Sequence, residues 1–237
     1  VKSNDILKQG KYNTFWLDKD AEPDTLIEYI VKQISYLDFP NGFPDNYAGM
    51  EWWSQVRETN ENITFHYDKD EAKCTEKKIY NFPLKSTITY LTNIGGPTTI
   101  FKDEEYNKGY LSFPKVNKHV KFDGHLFHGV IGPLGDKSNH KDKRITLLIN
   151  YWNYKPDEPN CVILNKKENL LKVTEEHKSL QESNEKEHSK IIKMNYKNGN
   201  KEWIIYKTNN PHILKFAKNL KKEYTYSFQF KKNCVVF

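Results

Sequence analysis

The alternation of hydrophobic and polar positions divides the chain into a short helical part followed by a long β-type part. Residues 23–37 form the clearest helix, because Pro23 and Asp24 precede a Thr25 to Glu28 spacing of the capping-box form. The apolar residues that recur on one face are Leu26, Ile27, Ile30, Val31, Ile34 and Leu37. We expect this helix to pack against the rest of the fold.

A second short helix is predicted around Met50, Trp52, Trp53 and Val56. The two tryptophans and the nearby Arg57 have two interpretations. The more usual one is that such residues belong to the core and the surface. The other is that they line a substrate entrance, since aromatic rings and a guanidinium are a frequent recognition set.

Between residues 63 and 152 the pattern changes to short β-type runs separated by turn residues such as Gly95-Gly96-Pro97. The runs are Ile63–Asp68, Ser86–Thr92, Thr98–Phe101, Tyr110–Phe113, Val120–Phe122, Leu126–Ile131 and Arg144–Trp152. So many short strands without helices between them predict a mainly β fold: a sandwich, a barrel or a jelly roll.

The last third of the chain is more mixed. Residues 165–193 are nearly all charged or polar and cannot bury a core face, which predicts an exposed helix or a disordered insertion. Asn198-Gly199 predicts a hairpin, 211–220 a short helix and 224–230 a half-buried strand. We therefore expect a single domain over 1–237, with helical support at 1–60, the core at 60–156, a charged insertion at 165–193 and a β/α extension at 194–237.

Composition excludes several classes of protein. A chain of 237 residues buries enough surface to fold without disulfides or a structural metal. Its three cysteines are far apart and form no CxxC pair, which excludes a disulfide scaffold and a zinc knuckle and indicates a reducing compartment, the cytoplasm or the nucleus. No apolar run approaches the ~18 residues of a membrane-spanning helix, so we expect no membrane partner.

The net charge of +6 comes from lysine: of 37 basic residues only Arg57 and Arg144 are arginine, which leaves 35 lysines (37 − 2). The lysines are scattered and often stand beside Asp or Glu. This distribution favours a solvated surface over a patch that follows phosphates, and it argues against a nucleic-acid partner. In such a chain each arginine attracts attention.

Two His-x-Asp triplets occur, at His66 to Asp68 and at His140 to Asp142. The motif alone is weak, and its context separates the two. Residues two apart on a strand share a face, so His66 and Asp68 present an imidazole and a carboxylate side by side. The second triplet lies in a polar run without strand character, and we interpret it as a loop without a metal role.

The segment 123–130 offers a third ligand, either His125 or His128. Residues three apart face opposite sides of a strand, and we favour His128 because it lies within the apolar run while His125 adjoins the turn at Gly124. Two imidazoles and one carboxylate on one face of a metal leave three sites open, as in non-haem Fe(II) oxygenases. The alternative for each histidine is a hydrogen-bonded core residue.

Arg144 opens the most apolar run of the chain. A guanidinium at the start of a buried strand needs an anionic partner, because an unpaired buried charge is costly. Its planar fork matches a carboxylate. The partner is either a ligand carboxylate or an Asp or Glu in a structural ion pair.

Over residues 60–152, the order His-x-Asp, His, Arg resembles the Fe(II)/2-oxoglutarate-dependent oxygenase superfamily. The stretch from Tyr90 to Phe101, with Gly95-Gly96-Pro97-Thr98, is similar to the Tyr-Leu-Asn and Gly-Gly-x-Thr stretch of prolyl-4-hydroxylase-like members. The resemblance implies a double-stranded β-helix, a relative of the jelly roll, with N-terminal helices packed on one side.

The same resemblance implies roles for the site residues. His66, Asp68 and His128 would hold Fe(II), Arg144 would grip the distal carboxylate of the co-substrate 2-oxoglutarate, and Tyr90 would hydrogen-bond that co-substrate. The resemblance also allows for ascorbate as an auxiliary reductant. The implied reaction converts 2-oxoglutarate and oxygen to succinate and CO2 while a substrate C–H bond is hydroxylated.

A protein or peptide side chain is the expected substrate. The alternatives are a small-molecule or nucleic-acid substrate, or a cupin-like β-module that binds metal or ligand without turnover. AlkB-type nucleic-acid demethylases carry a second arginine a few residues beyond the first. None follows Arg144, which disfavours a nucleobase substrate. The sequence specifies no oligomeric state.

Overall fold

The structure, a computed structural model, is built mainly from β-strands in two facing sheets. The predicted mainly β, jelly-roll fold is confirmed. The described residues are 14–102, 108–135, 142–157, 161–164 and 172, together with the backbone of four further strands at 190–195, 202–207, 229–231 and 234–236.

The first sheet has the strand order β10-β1-β2-β9-β4-β7, and the second has the order β11-β12-β6-β5-β8-β3. The strands of the first sheet are β1 (Thr14–Asp18), β2 (Gly49–Glu58), β4 (Lys85–Tyr90), β7 (His119–Asp123), β9 (Lys143–Trp152) and β10 (Cys161–Ile163). Those of the second are β3 (Ile63–His66), β5 (Thr98–Phe101), β6 (Lys108–Ser112), β8 (His128–Val130), β11 (Lys190–Asn195) and β12 (Glu202–Lys207). A separate hairpin joins β13 (Gln229–Lys231) to β14 (Cys234–Val236).

The predicted N-terminal helix is confirmed as α1 (Leu26–Asp38). The Thr25 side chain accepts a hydrogen bond from the Glu28 backbone N–H, and the Glu28 carboxylate accepts one in return from the Thr25 N–H, so both halves of the capping box are present. The helix packs its apolar face against the outer side of the first sheet. The core formed there contains Phe15, Leu17, Val31, Tyr47, Met50, Trp52, Leu147, Ile149, Tyr151 and Leu164.

The prediction of a second helix around residues 50–56 is wrong, because those residues lie in β2. β2 pairs with β9 over ten residues, from Gly49 opposite Trp152 to Glu58 opposite Lys143. Met50 and Trp52 belong to the core beneath α1, whereas Trp53 lies on the opposite face. The apolar residues therefore follow a period of two and not a helical period. α1 is the one α-helix among residues 14–60, where the sequence predicted two.

The two sheets enclose an interior to which alternate residues of each strand contribute. Arg144, Thr146, Leu148 and Asn150 share the inner face of β9, since the intervening residues pack beneath α1. Across the interior, Ile88, Tyr90 and Phe122 of the first sheet pack with Ile100 of the second. Polar and charged groups on this inner face are thus enclosed between the sheets.

The structure describes only part of the C-terminal region for which the sequence made predictions. β11 and β12 pair antiparallel, as the predicted hairpin requires, but its turn at Asn198-Gly199 lies outside the described residues. Most of the charged segment 165–193 also lies outside them; Lys172 bridges to Thr25, and residues 190–193 belong to β11. The predicted helix at 211–220 lies outside the described residues, and of 224–230 only the last two are described, in β13. The domain boundaries stay predictions.

A second helix, α2 (Glu71–Lys77), follows β3 directly. Asp70 caps it by accepting a hydrogen bond from the Lys73 N–H at 2.9 Å, and its carboxylate also accepts one from the Tyr154 hydroxyl at 2.8 Å. Asp70 is fully buried. Within the described part of the chain, no helix has the length and apolarity to cross a membrane.

We predict that Asp38→Ala lowers the free energy of unfolding by about 3 kcal/mol. Asp38 is buried at the end of α1, where it accepts hydrogen bonds from the Tyr151 hydroxyl at 2.6 Å and from His119 Nε2 at 3.1 Å. Lys121 Nζ lies 3.7 Å from the same carboxylate. Removing the acceptor leaves these donors unpaired in a buried place.

Urea unfolding at neutral pH measures this effect. Asp20→Ala is the matched control, because Asp20 is 83% exposed and its one ion pair within the described segments, with Lys19, spans 4.0 Å. That variant should change the unfolding free energy by less than about 0.5 kcal/mol. An equally small change in Asp38→Ala contradicts the prediction.

Candidate functional site

Two histidines meet at the edge of the second sheet. β3 and β8 pair antiparallel with His66 opposite His128, and the ring centroids are 4.5 Å apart. The register shifts between Ile63 and His66, so a β-bulge brings the histidine to its partner. Asp68 follows two residues beyond His66, after the strand has ended.

The side chains of His66, Asp68 and His128 converge. One potential ligand atom from each lies within 4.8 Å of the others. Asp68 Oδ1 is 3.5 Å from His66 Nε2, and Asp68 Oδ2 is 3.7 Å from His128 Nε2. Two neighbouring ligands with bonds of about 2.1 Å to one ion lie about 3 Å apart, so a small closure of these distances accommodates a metal.

Backbone carbonyls fix the tautomer of both imidazoles. His66 Nδ1 lies 2.7 Å from the Thr64 carbonyl oxygen, and His128 Nδ1 lies 2.9 Å from that of Leu126. A carbonyl only accepts, so each Nδ1 carries the proton and donates it. Each Nε2 is left with its lone pair directed toward the other ligand atoms, as metal binding requires.

Ser86, at the start of β4, orients the carboxylate by donating a hydrogen bond to Asp68 Oδ2 at 2.8 Å. Burial raises the pKa of Asp68, but the two histidines and the Ser86 hydroxyl outweigh it, and the net effect holds this pKa well below its usual range. Asp68 is therefore ionised at neutral pH. A permanently charged carboxylate is the form that binds a divalent cation.

The two histidines differ in their surroundings. Burial lowers the pKa of His128, which is 5% exposed, although Asp68 acts against that shift. For His66 burial also lowers the pKa, but the hydrogen bond and the charge of Asp68 outweigh it, and the net effect raises the pKa above 6.5. The His66 side chain is 43% exposed, so the site opens to solvent on that side.

Arg144 lies deeper on the same interior, where it is 2% exposed. Its Nε donates to the Gly96 carbonyl at 3.2 Å and its Nη2 donates to Thr98 Oγ1 at 2.9 Å. In the described part of the chain, no Asp or Glu forms an ion pair with this guanidinium. The structural ion pair is therefore not found among these residues, and the charge is solvated by neutral groups alone.

Tyr90 and Thr98 connect Arg144 to the second sheet. Tyr90 Oη lies 2.7 Å from the Ser112 carbonyl and 2.9 Å from Thr98 Oγ1. Since the carbonyl only accepts, the phenol proton goes to Ser112, and the Thr98 hydroxyl donates to Tyr90. The Tyr90 proton is already used, so in this arrangement Tyr90 positions Thr98 and the guanidinium.

Two buried hydroxyls close to this network have no hydrogen-bond partner among the described residues: Ser112 Oγ and Thr146 Oγ1. Thr146 is the register partner of Tyr90, and Ser112 is the register partner of Thr98, so both belong to the inner face. Unsatisfied buried hydroxyls cost free energy and are uncommon in folded proteins. Together with Arg144 they form a buried polar site suited to an anionic ligand.

The other sequence candidates lie elsewhere. His125 is exposed in the turn before β8 and lines an open cavity of about 520 Å³ with Tyr80, Asn81, Phe82, Pro83, Asn153 and Tyr154. Asp142 is exposed just before β9, and His140 lies outside the described residues. The structure therefore brings His128, and not His125, to His66 and Asp68.

Sequence reasoning missed Ser86 and the unpartnered hydroxyls of Ser112 and Thr146. Serine and threonine are common on strands, and no spacing distinguishes those that face a site. Thr98 belongs to the Gly-Gly-x-Thr stretch, but the sequence indicated no role for it. Its contact with Arg144 depends on two segments 46 residues apart in sequence.

No family model and no curated protein matches this chain. Among solved structures it is similar to a prolyl-4-hydroxylase from Pseudomonas putida, with 15% identity and a TM-score of 0.37 over 53% of this chain and 64% of that one. It is also similar to a 2OG-Fe(II) oxygenase family oxidoreductase from Burkholderia pseudomallei, with 11% identity and a TM-score of 0.32 over 48% of each chain.

A cupin protein from Bacteroides fragilis is similar at 11% identity and a TM-score of 0.27, over 44% of this chain and 65% of that one. Each of these alignments spans less than two thirds of the other protein. With TM-scores below 0.5, these similarities assign neither a family nor a reaction to this chain.

We predict that His66→Ala, Asp68→Ala and His128→Ala each abolish the rise in melting temperature that Mn(II) or Fe(II) gives the wild type. Each substitution removes one of three converging ligand atoms. Asp142→Ala and His125→Ala are matched controls, since both residues are exposed and lie outside the cluster. Undiminished metal stabilisation in any of the three site variants contradicts the assignment.

We also predict that Mn(II) affinity falls as the pH is lowered from 8 to 6. The metal needs neutral Nε2 atoms, and the pKa of His66 is raised above 6.5, so protons compete with the metal at pH values where an ordinary histidine is already neutral. Below that pKa the apparent affinity should fall by about tenfold per pH unit for the one proton displaced. Calorimetric titration checks this, and a constant affinity over the range excludes His66 as a ligand.

Proposed function

We propose that this protein is an Fe(II)- and 2-oxoglutarate-dependent dioxygenase that hydroxylates a C–H bond in a protein or peptide side chain. The observation that carries the proposal is Arg144. Its guanidinium is buried without a carboxylate partner among the described residues and shares one interior with His66, Asp68 and His128. A metal site and an anion site in one enclosed space suit a co-substrate that chelates a metal at one end and carries a charge at the other.

The donor set fits iron. Two neutral imidazoles and a carboxylate on one side of an ion are the ligands of non-haem Fe(II) oxygenases, and they leave other positions open. His66 and His128 would contribute Nε2, and Asp68 would contribute a carboxylate oxygen. The bound metal would supply the redox chemistry in which O2 oxidises 2-oxoglutarate to succinate and CO2 and gives its second oxygen atom to a substrate C–H bond.

The protein's own side chains would hold the co-substrate in place. Arg144 would donate to the distal carboxylate, while its bonds to Gly96 and Thr98 keep the guanidinium in one orientation. The unpartnered hydroxyls of Ser112 and Thr146 would donate to the same carboxylate. The apolar residues of this interior, such as Ile88 and Ile100, exclude water and strengthen these contacts.

The way the site opens supports a large substrate. His66 is the exposed member of the metal cluster, and the ring of its neighbour Tyr67 packs at a tilt against Phe82, with 5.8 Å between the ring centroids. Phe82 lines the open cavity of about 520 Å³ together with Tyr154 and the amides of Asn81 and Asn153. Aromatic rings and amides beside an exposed metal edge suit a side chain presented on a polypeptide.

The primary test is the formation of succinate from 2-oxoglutarate with and without Fe(II). We predict iron-dependent succinate formation, which His66→Ala or Asp68→Ala removes. Peptide pools screened for a mass increase of one oxygen atom then identify the substrate. A protein that binds the metal and forms no succinate is a metal-binding β-module instead.

We predict that Arg144→Ala raises the KM for 2-oxoglutarate by about a hundredfold and leaves Mn(II) affinity unchanged, because the lost contact is a charge-assisted pair in a buried site. Arg144→Lys should recover part of the loss, since lysine keeps the charge but not the planar fork. Anaerobic titration of 2-oxoglutarate into the Mn(II)-loaded variants measures the binding. Unchanged 2-oxoglutarate affinity with a lowered melting temperature would show a purely structural role.

A further inference from the structure

Arg144 does not stand alone on the inner face of the first sheet. Arg57, the other arginine of the chain, is its register partner across β2 and β9, so the two side chains leave the sheet on the same face. Lys118, just before β7, lies opposite Tyr90, whose N–H donates to the Lys118 carbonyl at 2.9 Å. In this antiparallel register Lys118 also takes the inner face.

These three cations have few counter-charges in the described part of the chain. Arg57 Nη1 pairs with Glu61 Oε1 at 2.8 Å, but its Nε is buried and has no hydrogen-bond partner. Lys118 Nζ donates to the Phe113 carbonyl at 3.0 Å and lies 5.8 Å from the Tyr90 ring centroid. Among residues 14–102, 108–135 and 142–157, Arg144 contacts only neutral groups, so Glu61 is the single carboxylate of these segments that pairs with any of the three cations.

Such an arrangement is unfavourable without an anion. Like charges at directly opposed positions of neighbouring strands repel each other, and because Arg144 is buried, water screens its repulsion from Arg57 only in part. Burial, with the nearby charge of Lys115, lowers the pKa of Lys118 to about 8, and the Arg57 charge contributes to lowering the pKa of Arg144 after burial. An anion between these groups relieves both the repulsion and the loss of solvation.

We propose that Arg57 and Lys118 are specificity-determining residues that make this pocket select a 2-oxo acid with a second carboxylate over a 2-oxo acid with an apolar end. This inference rests on the proposed function and deepens it. With the 2-oxo acid end at the metal cluster, the other end of the ligand lies toward Arg144. A methyl group there leaves Arg144 and Lys118 without an anion and Arg57 with Glu61 alone, and sites built for a polar group reject such analogues strongly.

The test compares 2-oxoglutarate with 2-oxopentanoate, which has the same carbon chain and only one carboxylate. Dissociation constants for both are measured by anaerobic calorimetry on the Mn(II)-loaded full chain. The wild type should prefer 2-oxoglutarate by at least about a hundredfold. Lys118→Met and Arg57→Met should each reduce the preference by about tenfold by weakening 2-oxoglutarate alone, whereas Lys118→Arg and Arg57→Lys should stay within about threefold of the wild type.

Glu61→Gln should change the preference for 2-oxoglutarate in the opposite direction. Removing the one counter-charge makes the pocket more positive, so the preference for 2-oxoglutarate should rise by about threefold. A structural role for these residues lowers stability in both kinds of variant and does not produce opposite changes in preference. Lys143→Met is the matched control, because Lys143 pairs with Glu58 at the same end of β2 and β9 but on the other face.

The outcomes separate this inference from the function on which it rests. One outcome overturns the inference and leaves the proposed function standing. It is tight, metal-dependent binding of 2-oxoglutarate together with an unchanged preference for it over 2-oxopentanoate in Arg57→Met, Lys118→Met and Glu61→Gln. A wild type that binds neither acid in the presence of Mn(II) overturns both. Opposite shifts in the cation and Glu61 variants, with Lys143→Met unchanged, support the three-cation pocket.

Discussion

The buried guanidinium of Arg144 is the group that most constrains this structure. A guanidinium removed from water needs hydrogen-bond acceptors at fixed positions. Here the Gly96 carbonyl and the Thr98 hydroxyl accept from it, and Tyr90 of the first sheet holds Thr98 of the second in place. Gly95 has a φ of +101°, and a Cβ at that position would lie 2.7 Å from the Arg144 Cβ. The loop before β5 therefore leaves space for the Arg144 side chain beside Gly95. Any bulkier residue at position 95 would displace that side chain.

The metal cluster depends on the same two-sheet construction. Strand pairing sets His66 opposite His128, and the chain then leaves the second sheet so that Asp68 reaches Ser86 on the first. Phe122 of the first sheet packs edge-on against the His128 ring at 4.9 Å between centroids. The cluster is thus held from both sides, and the carbonyls that accept from the two Nδ1 atoms belong to the chain just before each histidine.

Part of this arrangement follows from local pattern. The capping box marks the start of α1. His66, Asp68 and His128 converge, but Asp68 lies beyond the end of β3 and His125 lies in a turn, so strand alternation alone does not produce this arrangement. Their binding of metal stays a prediction. β2 was mistaken for a helix because two adjacent tryptophans obscure an alternation that pairing with β9 makes plain. Lys118 could not be singled out among 35 lysines, since only the register of β4 and β7 sets it apart.

The central claim is that the metal cluster and Arg144 hold the two ends of one small molecule. A crystal structure of the protein grown anaerobically with Mn(II) and 2-oxoglutarate tests it most directly. The account predicts an anomalous manganese peak bonded to His66, Asp68 and His128, and a distal carboxylate within hydrogen-bond distance of the Arg144 guanidinium. Manganese bound elsewhere, or a 2-oxoglutarate whose distal carboxylate does not reach Arg144, would contradict it.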